Sequence, residues 1–117
     1  MKLLKFFYIL TGGFPSKRGM GLDVALKIPL RLLEKGAVIL MFPEGRLIRE
    51  DNLGVFYNGT SALAIRSKAP ILPFHIRIGR GNIRMTFGES FSLANPHPVS
   101  VEEGTAIIKE KIAALAN

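Results

Sequence analysis

An unbroken apolar run at residues 37–42, leading directly into Pro43-Glu44-Gly45, is the feature that most constrains this chain. A strand with one solvated face alternates between apolar and polar residues, whereas a strand covered on both faces is apolar throughout. The proline and glycine that follow are residues that end a strand in a turn. The run therefore predicts a strand that is buried on both faces and ends at Phe42.

A hairpin is predicted further along, because residues 71–78 and 83–87 both alternate between apolar and polar side chains. Residues 79–82, which lie between them, contain two glycines and an asparagine and are typical of a turn. Period-two alternation places every second side chain on the same face of a strand. The predicted apolar face comprises Phe74, Ile76, Ile78, Ile83, Met85 and Phe87, and the opposite face comprises His75, Arg77, Arg84 and Thr86.

Leucines and alanines at helical spacing predict a helix across residues 22–33, with Gly36 at the position of a C-terminal cap. Pro29 lies inside this pattern. Because proline has no amide hydrogen to donate, it predicts a kink or a late start of the helix near that residue.

Two more helices are predicted in the second half of the chain. Residues 59–68 place small and apolar side chains at helical spacing. Ser100 and Glu103 have the spacing of a capping box and predict a last helix that reaches about Ala116. Strands and helices alternate in the middle of the chain, so the predicted fold class is α/β, a mixed sheet with flanking helices in one domain over residues 1–117.

Composition indicates phosphate-bearing or membrane partners. Sixteen Lys and Arg against nine Asp and Glu give a net charge of +7, and neither residues 1–22 nor residues 52–88 contain an acid. Such a field attracts the phosphates of lipid headgroups, acyl-CoA or nucleic acid. Hydrophobic residues make up 48% of the chain, which is high for so small a domain. This excess predicts a membrane-facing patch, a missing partner segment, or both.

Several classes of site are not expected. The sequence contains no cysteine, which excludes disulfides, thiolate metal sites and a cysteine nucleophile. His75 and His97 are isolated and no acidic cluster has ligand spacing, so neither a metal nor an organic cofactor is expected. Because the chain lacks a recognition-helix pattern, we expect no nucleic-acid partner. The apolar runs are also much shorter than the roughly 20 residues that a spanning helix needs.

The most informative segment begins at Phe42-Pro43-Glu44-Gly45-Arg46 and continues through Phe56, Gly59 and Ala62 to Ala69-Pro70-Ile71-Leu72-Pro73. A turn after a strand exposes backbone amides at the carboxyl edge of the sheet, where α/β proteins bind ligands. Glu44 would be an acceptor at that edge, beside Arg46. These residues resemble two motifs of the glycerolipid acyltransferase family. Gly13-Phe14-Pro15-Ser16-Lys17-Arg18 resembles an earlier motif of that family, which ends in an arginine.

The resemblance implies a set of substrate-binding residues. Arg18 matches the arginine that contacts the phosphate of the acceptor, and Glu44 and Gly45 match the residues that help to form the acceptor pocket. Arg46 stands where the family often has threonine, which changes the expected substrate more than the identity. A structural role remains open for each charged residue: Arg18 could anchor its glycine-rich loop, Glu44 could fix the turn, and Arg46 could be a solvated charge.

Pro70 and Pro73 match a fourth motif of the family, associated with packing and the acyl-donor side. From the residues alone, prolines at these positions are more typical of a strand boundary than of a ligand contact.

The family chemistry that the resemblance implies is direct acyl transfer from acyl-CoA or acyl-carrier protein to lysophosphatidate or a related lysophospholipid. A histidine acts as general base, and an aspartate five residues later orients it. Neither histidine of this chain has an aspartate at that spacing; His97 has Glu102 instead, in the first turn of the predicted last helix. We therefore expect an N-terminally truncated acyltransferase domain with no catalytic residue of its own, inactive as this fragment alone.

The resemblance also implies peripheral association with the cytoplasmic side of a membrane during phospholipid biosynthesis. An alternative function is a catalytically dead remnant that binds phosphate or anionic lipid, which the missing histidine motif supports.

Overall fold

A computed structural model describes residues 21–43 and 56–116 of the chain. These residues form four helices and one two-stranded sheet, in agreement with the predicted α/β class. In chain order the elements are α1 (Leu22–Ala25), α2 (Lys27–Glu34), α3 (Gly59–Ser67), β1 (Phe74–Ile78), β2 (Ile83–Phe87) and α4 (Val101–Leu115).

The interruption predicted near Pro29 is confirmed. The helical path breaks at Leu26, and α2 begins at Lys27, so Pro29 is its third residue. An amide in the first turn of a helix has no intrahelical acceptor, and a proline there therefore loses no hydrogen bond.

The predicted cap at Gly36 is also confirmed. Gly36 has φ +85°, its amide donates to the Leu33 carbonyl at 3.0 Å, and the next amide, of Ala37, donates to the Leu32 carbonyl at 3.0 Å. This pair of bonds is the Schellman arrangement, which requires a left-handed residue and therefore favours glycine.

The prediction for residues 37–42 was wrong. The segment forms no strand with any described residue, and Val38 is 97% exposed. Ile39 and Met41 pack against a small core of Leu26, Ala62 and Leu63, whereas Leu40 and Phe42 face outward. The run has the composition of a doubly covered strand, but Val38, Leu40 and Phe42 on one side of it stay largely exposed, because burial depends on neighbours that the run does not contain.

The hairpin prediction is confirmed, although the first strand begins at Phe74, three residues later than the alternating pattern predicts. β1 pairs with β2 antiparallel, and Phe74 lies opposite Phe87, Ile76 opposite Met85, and Ile78 opposite Ile83. Between these pairs lie His75 opposite Thr86 and Arg77 opposite Arg84. The Gly79 amide closes the turn by donating to the Asn82 carbonyl at 2.9 Å.

Helix α4 packs across α3 at the centre of the structure, around the main apolar core of Phe56, Ala64, Leu93 and Ile108. Ser61 is fully buried between the two helices, and its Oγ lies 2.8 Å from both the Val101 carbonyl and the Thr105 Oγ1. The Thr105 hydroxyl in turn donates to Asn58 Oδ1 at 2.7 Å. This chain of hydroxyls satisfies a buried polar group that would otherwise destabilise the contact.

The start of α4 agrees with the capping pattern. Ser100 is the N-cap, and its Oγ accepts a hydrogen bond from the Glu103 amide at 3.1 Å. Among the described residues, the Ser100 amide does not donate the reciprocal hydrogen bond to the Glu103 carboxylate that completes a capping box. The helix ends at Leu115, one residue before the predicted end.

Gly104 is expected to tolerate no larger side chain, because it lies where α4 meets α3. A Cβ at this position would lie 3.0 Å from Ser61 Cβ and 3.1 Å from Leu93 Cδ1. We expect Gly104→Val to lower the free energy of unfolding by about 2 kcal/mol through overpacking. The matched control Ala106→Val, on an exposed position of the same helix, should cost less than about 0.7 kcal/mol. Urea unfolding followed by circular dichroism measures both, and equal losses would contradict the packing described.

A second prediction concerns the facing arginines of the hairpin. Like charges directly opposite each other on paired strands are unfavourable. We expect Arg84→Glu, which places a carboxylate opposite Arg77, to raise the free energy of unfolding by about 0.5 kcal/mol in low salt. Arg80→Glu changes the net charge equally but lies in the turn, with no cross-strand partner. If both variants give the same gain in urea unfolding, net charge is responsible and the cross-strand pairing is not.

Candidate functional site

The four predicted substrate-binding residues, Arg18, Glu44, Gly45 and Arg46, lie outside the described residues. So do the Gly13–Arg18 motif and the apolar residues 1–11. Their roles stay predictions. The structure describes the residues on both sides of positions 44–55, which include Glu44, Gly45 and Arg46.

The described residues on either side of positions 44–55 contact each other. The Tyr57 amide donates a hydrogen bond to the Pro43 carbonyl at 2.9 Å, so the last described residue before these positions lies next to the residues that follow them. Phe56, one residue earlier, is buried in the main core, with the Lys109 ammonium 5.8 Å from its ring centroid. A buried aromatic ring and a backbone hydrogen bond therefore fix the positions of Phe56 and Tyr57. Phe56 therefore has a packing role in the core.

An aromatic contact connects the other end of the segment to the hairpin. The Phe42 and Phe74 rings meet edge to face, with centroids 6.5 Å apart and planes at 74°. Phe74 also contacts its cross-strand partner Phe87, at 5.8 Å between centroids. Edge-to-face pairs are a favoured geometry for aromatic rings. The chain therefore enters the Glu44-Gly45-Arg46 segment directly beside the start of β1.

Pro70 and Pro73 act as boundaries, as their residue type predicts. Pro73 is buried and immediately precedes β1, and its carbonyl accepts a hydrogen bond from the Gly88 amide at 2.9 Å. Pro70 is exposed, and Ile71 after it forms an isolated bridge with Phe91. The proline motif therefore sets where the hairpin begins and which residues it pairs with.

Neither histidine is part of an acid–base pair among the described residues. His75 lies on the polar side of the hairpin opposite Thr86, and His97 is exposed before α4. No described hydrogen bond or ion pair joins either ring to a carboxylate. The part of the chain that the structure describes also contains no group of three or more His, Asp or Glu arranged to hold a metal ion.

The positive charge of the hairpin has no acidic counterpart in the described structure. The ion pair found there joins Arg66 of α3 to Asp23 of α1 at 2.7 Å, with both side chains largely exposed. Arg77, Arg80 and Arg84 lie on exposed positions of the hairpin, which agrees with the predicted polar face. Their field is available to an anion.

The sequence did not predict that the apolar side of the hairpin would be open. We call Phe74, Ile76, Ile78, Ile83, Met85 and Phe87 the apolar hairpin face; all but the half-buried Phe74 are exposed. The alternation that predicts the hairpin also predicts a covered apolar side. The 48% hydrophobic composition was the one signal for an open patch, and it does not say where the patch lies.

None of the described helices is long and apolar enough to cross a bilayer.

Comparison with known proteins identifies the family. The acyltransferase family model matches residues 1–77, two thirds of the chain, including both the Gly13–Arg18 and the Phe42–Arg46 motifs. A 1-acyl-sn-glycerol-3-phosphate acyltransferase of Pseudomonas aeruginosa is 30% identical over 82 residues, covering 61% of this chain and 32% of the relative. A chloroplastic 1-acyl-sn-glycerol-3-phosphate acyltransferase of Brassica napus is 34% identical over 64 residues, covering 55% of this chain and 18% of the relative.

The chain thus spans about a third of the bacterial relative and less than a fifth of the plant one. The comparison with solved structures gives no match. The acyltransferase family model nevertheless covers two thirds of the sequence, which confirms the resemblance seen in the motifs. The chain belongs to the acyltransferase family.

Proposed function

We propose that this chain takes part in acyl transfer to lysophosphatidate, or a related lysophospholipid, in phospholipid biosynthesis. The observation that supports this proposal is the acyltransferase match over residues 1–77, together with two relatives named for 1-acylglycerol 3-phosphate, which is lysophosphatidate. The enzymatic class is that of an O-acyltransferase.

The proposed donor is acyl-CoA or acyl-carrier protein, both of which present the acyl group as a thioester. The acceptor hydroxyl oxygen attacks the thioester carbonyl, an oxygen ester forms, the carbon–sulfur bond breaks, and the hydroxyl proton ends on the departing thiol. A general base that removes the proton lowers the barrier of this step. No histidine of the sequence has an aspartate five residues later, so this chain contributes acceptor binding and not the base.

Arg18 is the proposed partner of the acceptor phosphate, since a guanidinium forms bidentate, charge-assisted hydrogen bonds with phosphate oxygens. Glu44, Gly45 and Arg46 are the proposed wall of the acceptor pocket. The match to the family's motifs supports these roles. The hydrogen bond from the Tyr57 amide to the Pro43 carbonyl joins the described residues on either side of positions 44–55, which include these three residues.

The proposed location is the cytoplasmic surface of a membrane, where a lysophospholipid acceptor resides. The net charge of +7 supports this location, because cytoplasmic leaflets contain anionic lipids.

A catalytically dead binding protein is the second candidate. It would use the same residues to bind a phosphate-bearing lipid without transferring anything, and the missing His-x-x-x-x-Asp motif favours it. Only the acyltransferase would turn over substrate, whereas both candidate functions use Arg18 to bind the phosphate.

Acyl transfer should occur only in a polypeptide that contains the histidine base. The purified chain, and the same chain extended by whatever its gene encodes in frame upstream of Met1, are incubated with radiolabelled acyl-CoA or acyl-carrier protein and lysophosphatidate. We expect phosphatidate only from a polypeptide that contains a His-x-x-x-x-Asp motif. A motif-containing polypeptide that acylates no lysophospholipid would contradict the acyltransferase proposal. A gene that encodes no such motif would favour the binding protein.

Arg18→Gln should weaken binding of lysophosphatidate by about tenfold or more, because a charge-assisted hydrogen bond contributes roughly 1.5–3 kcal/mol. Lys17→Gln removes the same charge one residue earlier and should change binding less than about threefold. Calorimetric titration below the critical micelle concentration measures both variants. Monoacylglycerol, which lacks the phosphate, should not distinguish Arg18→Gln from the unchanged chain. Equal losses for the two variants would show diffuse attraction and no specific phosphate contact.

A further inference from the structure

We propose that the hairpin of β1 and β2 is the element that docks this chain on an anionic lipid surface, turn first and with the apolar hairpin face toward the lipid. The proposal deepens the proposed function, because it rests on the acceptor being a lipid. Its test is a binding measurement that needs no acyl transfer.

Exposure of apolar side chains is greatest next to the turn. Ile78 is 79% exposed and its partner Ile83 is 69% exposed, whereas Ile76, two residues further from the turn, is 39% exposed. Water-exposed apolar surface of this extent on adjacent residues is typical of an interaction site. The pair at the turn would enter an apolar phase first.

Three arginines lie close to this apolar pair, two on the opposite face of the hairpin and one in its turn. Arg77 and Arg84 lie opposite each other one residue behind Ile78 and Ile83, and Arg80 lies in the turn itself. Facing like charges are unfavourable in water, and an anion close to both of them removes the repulsion. Long basic side chains reach from an apolar anchor to the phosphate level of a bilayer. Because a strand rises about 3.3 Å per residue, Arg77 and Arg84 would lie at that level when the turn is inserted.

Charge decides between lipid and a second copy of the chain. Each copy has a net charge of +7, and residues 52–88, which include the whole hairpin, contain no acid to offset the charge of a second copy. An anionic leaflet instead attracts juxtaposed basic residues and accepts the isoleucines in its apolar phase. Charge complementarity therefore favours a lipid surface.

The position of the hairpin gives the docking a function. Phe42 contacts Phe74 on the apolar hairpin face, and Glu44-Gly45-Arg46 follows two residues later. A lipid surface against this face would lie beside the proposed acceptor pocket, and a lysophospholipid could then move from the leaflet to the pocket without crossing water.

The absence of cysteine allows a direct test. The full chain carrying Ile83→Cys is labelled with an environment-sensitive fluorophore, and the control carries Glu110→Cys, on an exposed position of α4. Vesicles of phosphatidylcholine with phosphatidylglycerol, and of phosphatidylcholine alone, are added. We expect a blue shift of the label at position 83, and its quenching by brominated lipid acyl chains, in anionic vesicles only. The label at position 110 should not respond.

Two pairs of matched variants test the residues. Arg77→Gln with Arg84→Gln should reduce affinity for the anionic vesicles about 30-fold, since each basic residue near such a surface contributes roughly 1 kcal/mol. Arg31→Gln with Lys35→Gln, which removes two exposed charges elsewhere, should reduce it less than about threefold.

Ile78→Ser with Ile83→Ser should reduce affinity about tenfold or more. Val24→Ser with Ile28→Ser, at positions 43% exposed, should leave it nearly unchanged.

Three results would overturn the proposal. One is a label at position 83 that does not respond to anionic vesicles. Another is a blue shift without vesicles that grows with protein concentration, which assigns the face to a second copy. The third is an equal loss of binding for the hairpin and control charge variants, which assigns binding to net charge. Failure of acyl transfer by a polypeptide that contains the His-x-x-x-x-Asp motif, with an intact vesicle response, would contradict the proposed function and leave the docking standing.

Discussion

The packing of α4 across α3 is the constraint on which the rest of the described structure depends. Because Gly104 has no side chain, the two helices approach so closely that a Cβ at position 104 would crowd Ser61. The buried hydroxyl of Ser61 forms hydrogen bonds with residues of α4. An unpartnered hydroxyl at this position would cost about 1–3 kcal/mol, so the close approach and the hydroxyl network depend on each other. The contact brings Leu93 and Ile108 onto Phe56 and Ala64 and thereby forms the main core.

The same packing positions the elements that flank the family motif. Helix α3 begins at Gly59, two residues after Tyr57, whose amide binds Pro43. Fixing α3 therefore fixes the described residues that flank positions 44–55, Pro43 before them and Tyr57 after them. The hairpin is connected to this frame through Phe42 and Phe74, but its apolar face receives no cover from the described residues. The packed helices and an open apolar surface thus lie side by side.

Local patterns predicted most of the secondary structure. The break near Pro29, the cap at Gly36, the cap at Ser100 and the hairpin each depend on a few residues close in sequence, and all are confirmed. Residues 37–42 failed because burial on both faces depends on distant neighbours. The openness of the apolar hairpin face escaped prediction for the same reason. The motifs named the family correctly and named Arg18 and Glu44 as candidates, but a motif gives residue types and spacing and not their arrangement in space.

In the function proposed here, Arg18 and the Glu44-Gly45-Arg46 segment bind the phosphate end of a lysophospholipid. Photo-crosslinking with lysophosphatidate that has a photoreactive group beside its phosphate, followed by peptide mass spectrometry, tests this binding. We predict crosslinks in residues 13–18 and 43–46 that an excess of unmodified lysophosphatidate abolishes. Crosslinks confined to α4, or spread over basic residues of the whole surface, would contradict the account.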